Sequence, residues 1–465
     1  MRKSCLALAA IVAVVACTDS TSPTDNALHT ASIDTAAKSP VSASLVAPAS
    51  LFASYKTSSA HWSHITTMMT DFYYSWTPAE RTWAGQHYDY AMSGTGSAWR
   101  ATNPSVGHLP YALLWTTIIG GAAGLPSGYY ADMKSWFHVH TQYPFEKAFV
   151  HKKGFAADSA HRVFYNQWGS NRWAINPADP GAIAYTVNRI QRVTSGESGV
   201  FFDEASSGDM GAHLGAMTEF SSAIAYNASI AKLLKSIRTG IAPKLIMLNT
   251  AEYMSPADSV NAITAGAVHL EMFNNFKYSG MIPRWVWIGK LANLGVFVDV
   301  VSTYSTQDMA SMATSYPRGN SATNVQRAKL WELASYYLAV TSNPKLIALQ
   351  LENQWNKPYS TLWTKAQEAN IGHPTAIRVQ KSTGIDPLHN SYIVYTRDFD
   401  RALVVLRLQQ GWGAQTYTDG TAITVPLPAG EKWIPLNADG TVGTAVTSIR
   451  LRNSEAAIML KGSKM

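Results

Sequence analysis

The sequence predicts an α/β protein: a (β/α)8 TIM barrel followed by a small C-terminal antiparallel β-sandwich domain. Three observations predict it. From about residue 60, apolar runs alternate with helical patterns, as repeated βα units do. Eight of those runs have strand length, which is the strand count of the barrel. From about residue 375 the helical pattern stops, and short alternating runs follow one another with turn residues between them.

The eight runs are justified in order. The first, 68–76, carries Asp71, Tyr73 and Tyr74. The second, 88–93, ends in small residues, and the third, 109–119, is stopped by Gly120-Gly121. A long insertion follows, with Trp136-Phe137-His138-Val139-His140 and Arg172-Trp173-Ala174-Ile175-Asn176-Pro177, leading into a helix over 180–193. Pro180 suits a helix start, where its missing N–H is not needed. The fourth run, Val200-Phe201-Phe202, lies between Gly199 and two carboxylates, Asp203 and Glu204. A glycine-bounded apolar run reads as a buried parallel strand. Phe220, Ile224, Ile230 and Leu233-Leu234 then recur at helical spacing. The fifth strand, 245–248, ends in Asn249 and is followed by a short helix over 256–264. The sixth, 267–273, contains His269 and Glu271, the seventh, 295–302, contains Asp299, and the eighth, 345–351, ends in Glu352 and Asn353. In the C-terminal part, strands are expected over 391–396, 401–408, 414–418, 421–426 and 456–460, with Asp419-Gly420 and Asp439-Gly440 as turns.

The N-terminus carries a targeting pattern. Arg2 and Lys3 precede an apolar run over 6–16, too short to span a membrane and suited to a secretory signal. The run ends Val14-Val15-Ala16-Cys17, which resembles the lipobox of bacterial lipoproteins. That resemblance implies a signal peptide over 1–16 and lipidation of Cys17. Residues 17–55, rich in Ser, Thr, Ala and Pro, read as a flexible tether. The barrel is expected over 56–372 and the sandwich over 373–465. The expected location is extracytoplasmic, held to a bacterial membrane by lipid alone, with Thr18 favouring an outer membrane or cell surface. Cys5 lies in the removed segment, so no disulfide is expected.

Of the 465 residues, 46% are hydrophobic, enough for a large core, and 15 Trp with 22 Tyr suit sugar-stacking surfaces as well as cores. The formal charge of +7 is mild for this length and comes without a basic run, which argues against nucleic acid as a partner. A carbohydrate is the expected substrate, and no cofactor is expected.

Hydrolysis of a glycosidic bond needs two carboxyl groups flanking it. Asp203 and Glu271, from the fourth and sixth strands, would both reach the C-terminal rim where barrel active sites lie. Glu271, beside Met272 and Phe273, suits an acid whose pKa is raised by an apolar pocket, and Asp203 suits the ionised partner. The bland alternatives are that Asp203 or Glu204 caps the next helix and that Glu271 is paired with an Arg or Lys. Asp71, Trp136, His138, Trp173, Glu204, Asn249, His269 and Asp299 are the further candidates for substrate contact. Trp115, Trp136, Trp173 and Trp285 are candidate sugar platforms that each read more readily as core, and His269 also reads as a satisfied core histidine. Asp299, mid-strand, points either inward or to a helix. His138 and His140 form a His-x-His pair that no neighbouring cluster completes as a metal site, so no metal is expected.

The "GVFFDE" and "HLEMF" strands and the "VYTRDFDRALVVL" segment resemble the family called hypothetical glycosyl hydrolase family 15, over about residues 60–462. There is a more distant similarity to retaining α-glycosidase barrels of the dextranase and α-galactosidase type. The resemblance implies a TIM barrel, glycoside hydrolase activity, Asp203 as nucleophile and Glu271 as acid/base. Arg401-Ala402-Leu403 stands where many relatives have an Asn-Gly turn, a departure that bears on the β domain. The competing function class is a carbohydrate-binding surface lipoprotein without catalysis. A metal-dependent deacetylase or hydrolase would need His138 and His140 to meet a carboxylate.

Overall fold

The computed structural model describes residues 77–79, 82, 90–93, 107–120, 129–167, 170–250, 253–270, 278–301, 321–340, 346–350, 364–409, 419–453 and 455–462. In chain order, β1 (Tyr90–Ser93) and β2 (Gly107–Leu113) are followed by an inserted unit. The insertion holds β3 (Thr116–Gly120), α1 (Tyr129–Val139), β4 (Phe164–Gln167) and β5 (Ser170–Ala174). Then come α2 (Pro180–Val193), β6 (Gly199–Asp203), α3 (Ser207–Leu214), α4 (Ala223–Ile241) and β7 (Leu245–Asn249). After these, α5 (Pro256–Ala265), β8 (Gly266–Leu270), α6 (Tyr278–Asn293), β9 (Phe297–Val301), α7 (Ser321–Ala339) and β10 (Ile347–Gln350) complete the α/β part.

Seven strands form one parallel sheet in the order β1-β2-β6-β7-β8-β9-β10. They are the second to eighth expected strands in their expected sequence, while the first, 68–76, lies outside the described residues. The sheet is strongly curled. Tyr90 on β1 and Phe297 on β9 have ring centroids 6.5 Å apart, although four strands lie between them. Five strand spacings laid flat would separate them by about 24 Å. Among the described residues, the edge strands β1 and β10 do not pair with each other.

The outer face is packed by helices. Val200 and Phe202 of β6, with Ile246 and Leu248 of β7, share a buried cluster with Tyr226, Ile230, Leu233, Leu234 and Ile237 of α4. Ile224, which the helical spacing places on that apolar stripe, is 82% exposed instead. Asp179 caps α2, its side chain accepting from Ala182 N at 2.8 Å, and Pro180 occupies the first turn as expected.

The expected third strand, 109–119, divides at Leu113. Its second half, β3, leaves the barrel sheet and pairs antiparallel with β5, in a three-stranded sheet of order β3-β5-β4. Trp115 sits at the division, 1% exposed and stacked on Tyr165 of β4 with centroids 5.4 Å apart. The run is continuous in sequence because both sheets bury it.

The C-terminal part has a five-stranded antiparallel sheet of order β11-β12-β13-β17-β15: β11 (Val379–Ile385), β12 (Ser391–Asp398), β13 (Ala402–Gln409), β15 (Trp433–Leu436) and β17 (Ala456–Lys461). A two-stranded sheet of β14 (Ile423–Pro426) and β16 (Ser448–Leu451) faces it across Val394, Leu403, Val405, Val425, Leu451 and Met459. The sequence reading does not include β11, β15 and β16, and its strand at 414–418 lies outside the described residues. β13 is buried along its whole length, because its other face joins a core shared with α6, α7 and the parallel sheet. α7 is accordingly buried on many sides, through Trp331, Leu333, Ala334, Tyr336, Tyr337 and Leu338. No helix among the described residues is long and apolar enough to cross a membrane.

Candidate active site

Register sets out the site. Across the parallel sheet Asn249 stands opposite His269, and His269 opposite Asp299. Phe202 pairs Leu248, which places Asp203 beside Asn249 one residue on. Residues in register on parallel strands share a face. Here the face is the concave one, as the contacts Tyr111–Phe201 (6.2 Å) and Phe201–His269 (5.3 Å) show. A polar row therefore runs from Asp203 through Asn249 and His269 to Asp299, at the C-terminal ends of β6, β7 and β8 and mid-strand in β9.

Asp203 is half-buried, and its carboxylate accepts three hydrogen bonds. Asn249 Nδ2 donates to Oδ1 at 2.7 Å, the Glu204 amide donates to Oδ1 at 2.9 Å, and the Tyr111 hydroxyl donates to Oδ2 at 2.8 Å. Three donors from three elements fix the orientation of this carboxylate. Burial, with the Asp203 charge adding to it, holds the Tyr111 hydroxyl far above its usual pKa, so it remains a donor. Neither Asp203 nor Glu204 caps the following helix. The N-cap of α3 is Ser206, whose Oγ accepts from Asp209 N at 2.9 Å.

Glu204 is 8% exposed and adopts a left-handed backbone, φ 51°. Its carboxylate is clasped by Arg172 of β5, itself 1% exposed and held by Nε donating to Ser170 Oγ at 2.6 Å. Burial, with the neighbouring Asp203 charge, pushes the Glu204 carboxyl up to about 7 against the pull of Arg172. Glu204, a candidate for substrate contact in sequence, is held in this internal pair. Trp115, a possible platform in sequence, instead donates its indole N–H to the Glu204 carbonyl at 2.7 Å. Tyr165 lies over this group, its ring 5.5 Å from the Arg172 guanidinium and 4.2 Å from the His213 ring. Burial, with the Glu204 charge, holds the Tyr165 hydroxyl above its ordinary value. Asp209 is also raised, by burial and by the Asp203 charge. The end of β6 thus gathers three carboxyl groups, and only Glu204 is matched by a guanidinium.

Further along the row, His269 Nδ1 lies 2.7 Å from Asp299 Oδ2, with both side chains buried. The inward alternative for Asp299 is the one observed. Glu271, Asp71 and Cys17 lie outside the described residues.

Other candidates lie apart from this row. Trp136 on α1 is covered by His140, stacked at 3.9 Å, and by Tyr143 at 5.9 Å. Trp173 packs edge-on to Tyr130 at 4.8 Å and lies beneath Arg162. Trp285 is fully buried against Tyr395. Trp285 is thus wholly packed and Trp136 and Trp173 are half-buried against their neighbours, since the apolar character that suits a sugar also suits a core. His138 is exposed at the end of α1, and His140 Nδ1 donates to the Trp136 carbonyl at 2.7 Å. Among the described residues neither meets a carboxylate, and no group of three or more metal-ligating side chains converges. Sequence reasoning does not find Tyr111, Arg172 and Tyr165. Tyr111 carried a signal, two residues before the end of an apolar strand, while Arg172 and Tyr165 reach the site only through the antiparallel sheet.

No protein-family model matches the chain, and no curated protein matches it. Solved structures to which it is similar include a GH27 β-L-arabinopyranosidase from Geobacillus stearothermophilus, at 10% identity, covering 87% of this chain and 98% of that one, TM-score 0.47. An α-amylase from Geobacillus thermoleovorans complexed with acarbose is 7% identical over 87% of this chain and 99% of that one, TM-score 0.47. The glycoside hydrolase domain of PelA from Pseudomonas aeruginosa is 12% identical over 53% and 87%, TM-score 0.34. At TM-scores below 0.5 these likenesses decide neither reaction nor substrate for this chain.

Proposed function

We propose that this chain is a glycoside hydrolase that cleaves an oligo- or polysaccharide by the retaining route, with Asp203 as nucleophile and Glu271 as acid/base. The observation that carries the reading is the Asp203 carboxylate, held by three donors at the C-terminal edge of a curled parallel sheet. Its Oδ2 accepts one of those bonds and its Oδ1 two, so Oδ2 is the oxygen that attacks the anomeric carbon. Glu271, two residues beyond the inward-facing His269, protonates the leaving oxygen. In the second step it takes a proton from water, the water oxygen bonds to the anomeric carbon, and the ester bond to Asp203 breaks. Asp71 and the His269–Asp299 pair contact sugar hydroxyls. The eight expected strands, of which 68–76 is the first in sequence, make up a (β/α)8 barrel. Cys17 carries lipid, which holds the enzyme on the outer face of a membrane.

The test is hydrolysis of a panel of α- and β-linked glycans by the chain lacking residues 1–50, with Asp203→Asn and Glu271→Gln beside it. Loss of turnover in both variants, with melting transitions intact, is the expected result. Full activity in either variant refutes the pair. Glycan binding without hydrolysis by the parent refutes the enzyme and leaves a carbohydrate-binding protein.

A further inference from the structure

The residue after Asp203 is held in a conformation that its side chain disfavours. Glu204 and His389 are the non-glycine residues with positive φ among those described, and Glu204 stands at φ 51°. For an L-residue with a long side chain the left-handed region is unfavourable, and it persists only where the surroundings impose it. Three contacts impose it here. The Arg172 guanidinium clasps the carboxylate, Trp115 Nε1 donates to the carbonyl at 2.7 Å, and the next amide, Ala205 N–H, donates to the Asn249 carbonyl at 2.9 Å. The local consequence is that the Glu204 amide turns back and donates to Asp203 Oδ1 at 2.9 Å.

Two of these contacts come from the segment inserted between β2 and β6. Trp115 stands where β2 hands over to β3, and Arg172 lies on β5, fixed by Ser170 and lying against Tyr165. The three-stranded antiparallel sheet is thus the support of the β6 rim.

We propose that Arg172 and Glu204 are positioning residues for Asp203: their ion pair holds the peptide after Asp203 left-handed, so that its amide pins Oδ1 and leaves Oδ2 directed at the substrate. Neither side chain touches substrate in this arrangement. The inference rests on Asp203 being the nucleophile, and it deepens that reading by assigning the insertion a role in the reaction.

Glycine adopts positive φ without strain, whereas alanine does not, and both lack the carboxylate. The experiment therefore compares Glu204→Gly with Glu204→Ala, alone and with Arg172→Met, in the full chain, with Asp203→Asn as control. Glu204→Gly should keep kcat within about fivefold of the parent, and Glu204→Ala should lose about 10- to 100-fold, both with KM nearly unchanged. Arg172→Met should lose kcat to a similar degree, and adding Glu204→Gly should restore most of it. Thermal melts should place Glu204→Gly above Glu204→Ala whether or not a substrate has been found. Equal kcat losses in the Gly and Ala variants, or a rise in KM in both, would overturn the proposal in favour of a side chain that meets substrate. A Gly variant that melts below the Ala variant overturns it as well. Activity surviving in Asp203→Asn defeats the nucleophile itself, an outcome separate from any behaviour of the Glu204 series.

Discussion

Replacing Tyr111 with Phe removes one atom from the site and little else. The ring stays packed 6.2 Å from Phe201, and the hydroxyl that donates to Asp203 Oδ2 at 2.8 Å is lost. A hydrogen bond to a charged group contributes about 1.5–3 kcal/mol. The sign of its effect on rate depends on the step. On the proposed retaining route, Oδ2 gives up negative charge as the glycosyl–enzyme ester forms, so the Tyr111 bond weakens toward that transition state. When the ester breaks, charge returns to the carboxylate and the bond strengthens. Loss of the hydroxyl therefore slows breakdown and leaves formation as fast or faster. At about 1.4 kcal/mol per tenfold, the breakdown step should slow about 10- to 150-fold. The steady state should show kcat and KM falling together, and intact-mass spectrometry of the Tyr111→Phe enzyme in turnover should show one glycosyl unit attached. The fold should survive, with unfolding free energy lower by about 1–2 kcal/mol in a urea titration. An unchanged kcat, or a lowered kcat with no trapped adduct, would refute a catalytic Asp203 whose Oδ2 carries the ester.

Two further predictions concern the periphery. His151 is 1% exposed, with Nδ1 2.5 Å from Glu219 Oε1 and Nε2 3.0 Å from Glu146 Oε1, so it ties the insertion to the segment before α4. Burial alone pulls this imidazole down, but its hydrogen bonds to Glu146 and Glu219 outweigh that and raise it above its ordinary value. A raised histidine contributes stability that is present in full below about pH 6.5 and is lost as pH rises through its folded value. His151→Gln should therefore cost about 2 kcal/mol in urea titrations near pH 6 and progressively less toward pH 9; a penalty that grows with pH contradicts the assignment. At the N-terminus, Cys17→Ser in the full-length chain should abolish incorporation of a clickable palmitate analogue and release the protein from membrane pellets. Equal labelling of parent and variant contradicts lipidation at Cys17.

Much of the α/β part was legible in sequence because its signals are local. A short apolar run bounded by glycine, such as Gly199 to Asp203, is buried on both faces wherever it lies, and the runs ending in Asn249 and containing His269 and Asp299 behave alike. Strand order then follows from chain order, since each helix returns the chain to the next parallel strand. Strands β11, β15 and β16 escaped because their exposure follows no clean alternation; β11 is exposed at six of its seven residues. The aromatic candidates Trp136, Trp173 and Trp285 look alike in sequence whether they face a sugar or a core, because both environments take an apolar ring.

From sequence alone came the βα alternation, the change to antiparallel strands after residue 375 and Asp203 at a strand end, all of them properties of consecutive residues. Tertiary structure decided what surrounds Asp203. Tyr111, Asn249 and the Glu204 amide converge on one carboxylate because parallel register places strand ends side by side, and Arg172 arrives from an inserted sheet that no spacing along the chain announces. A hydrogen bond depends on positions in space to within a few tenths of an ångström, and linear order constrains those positions only inside a single element.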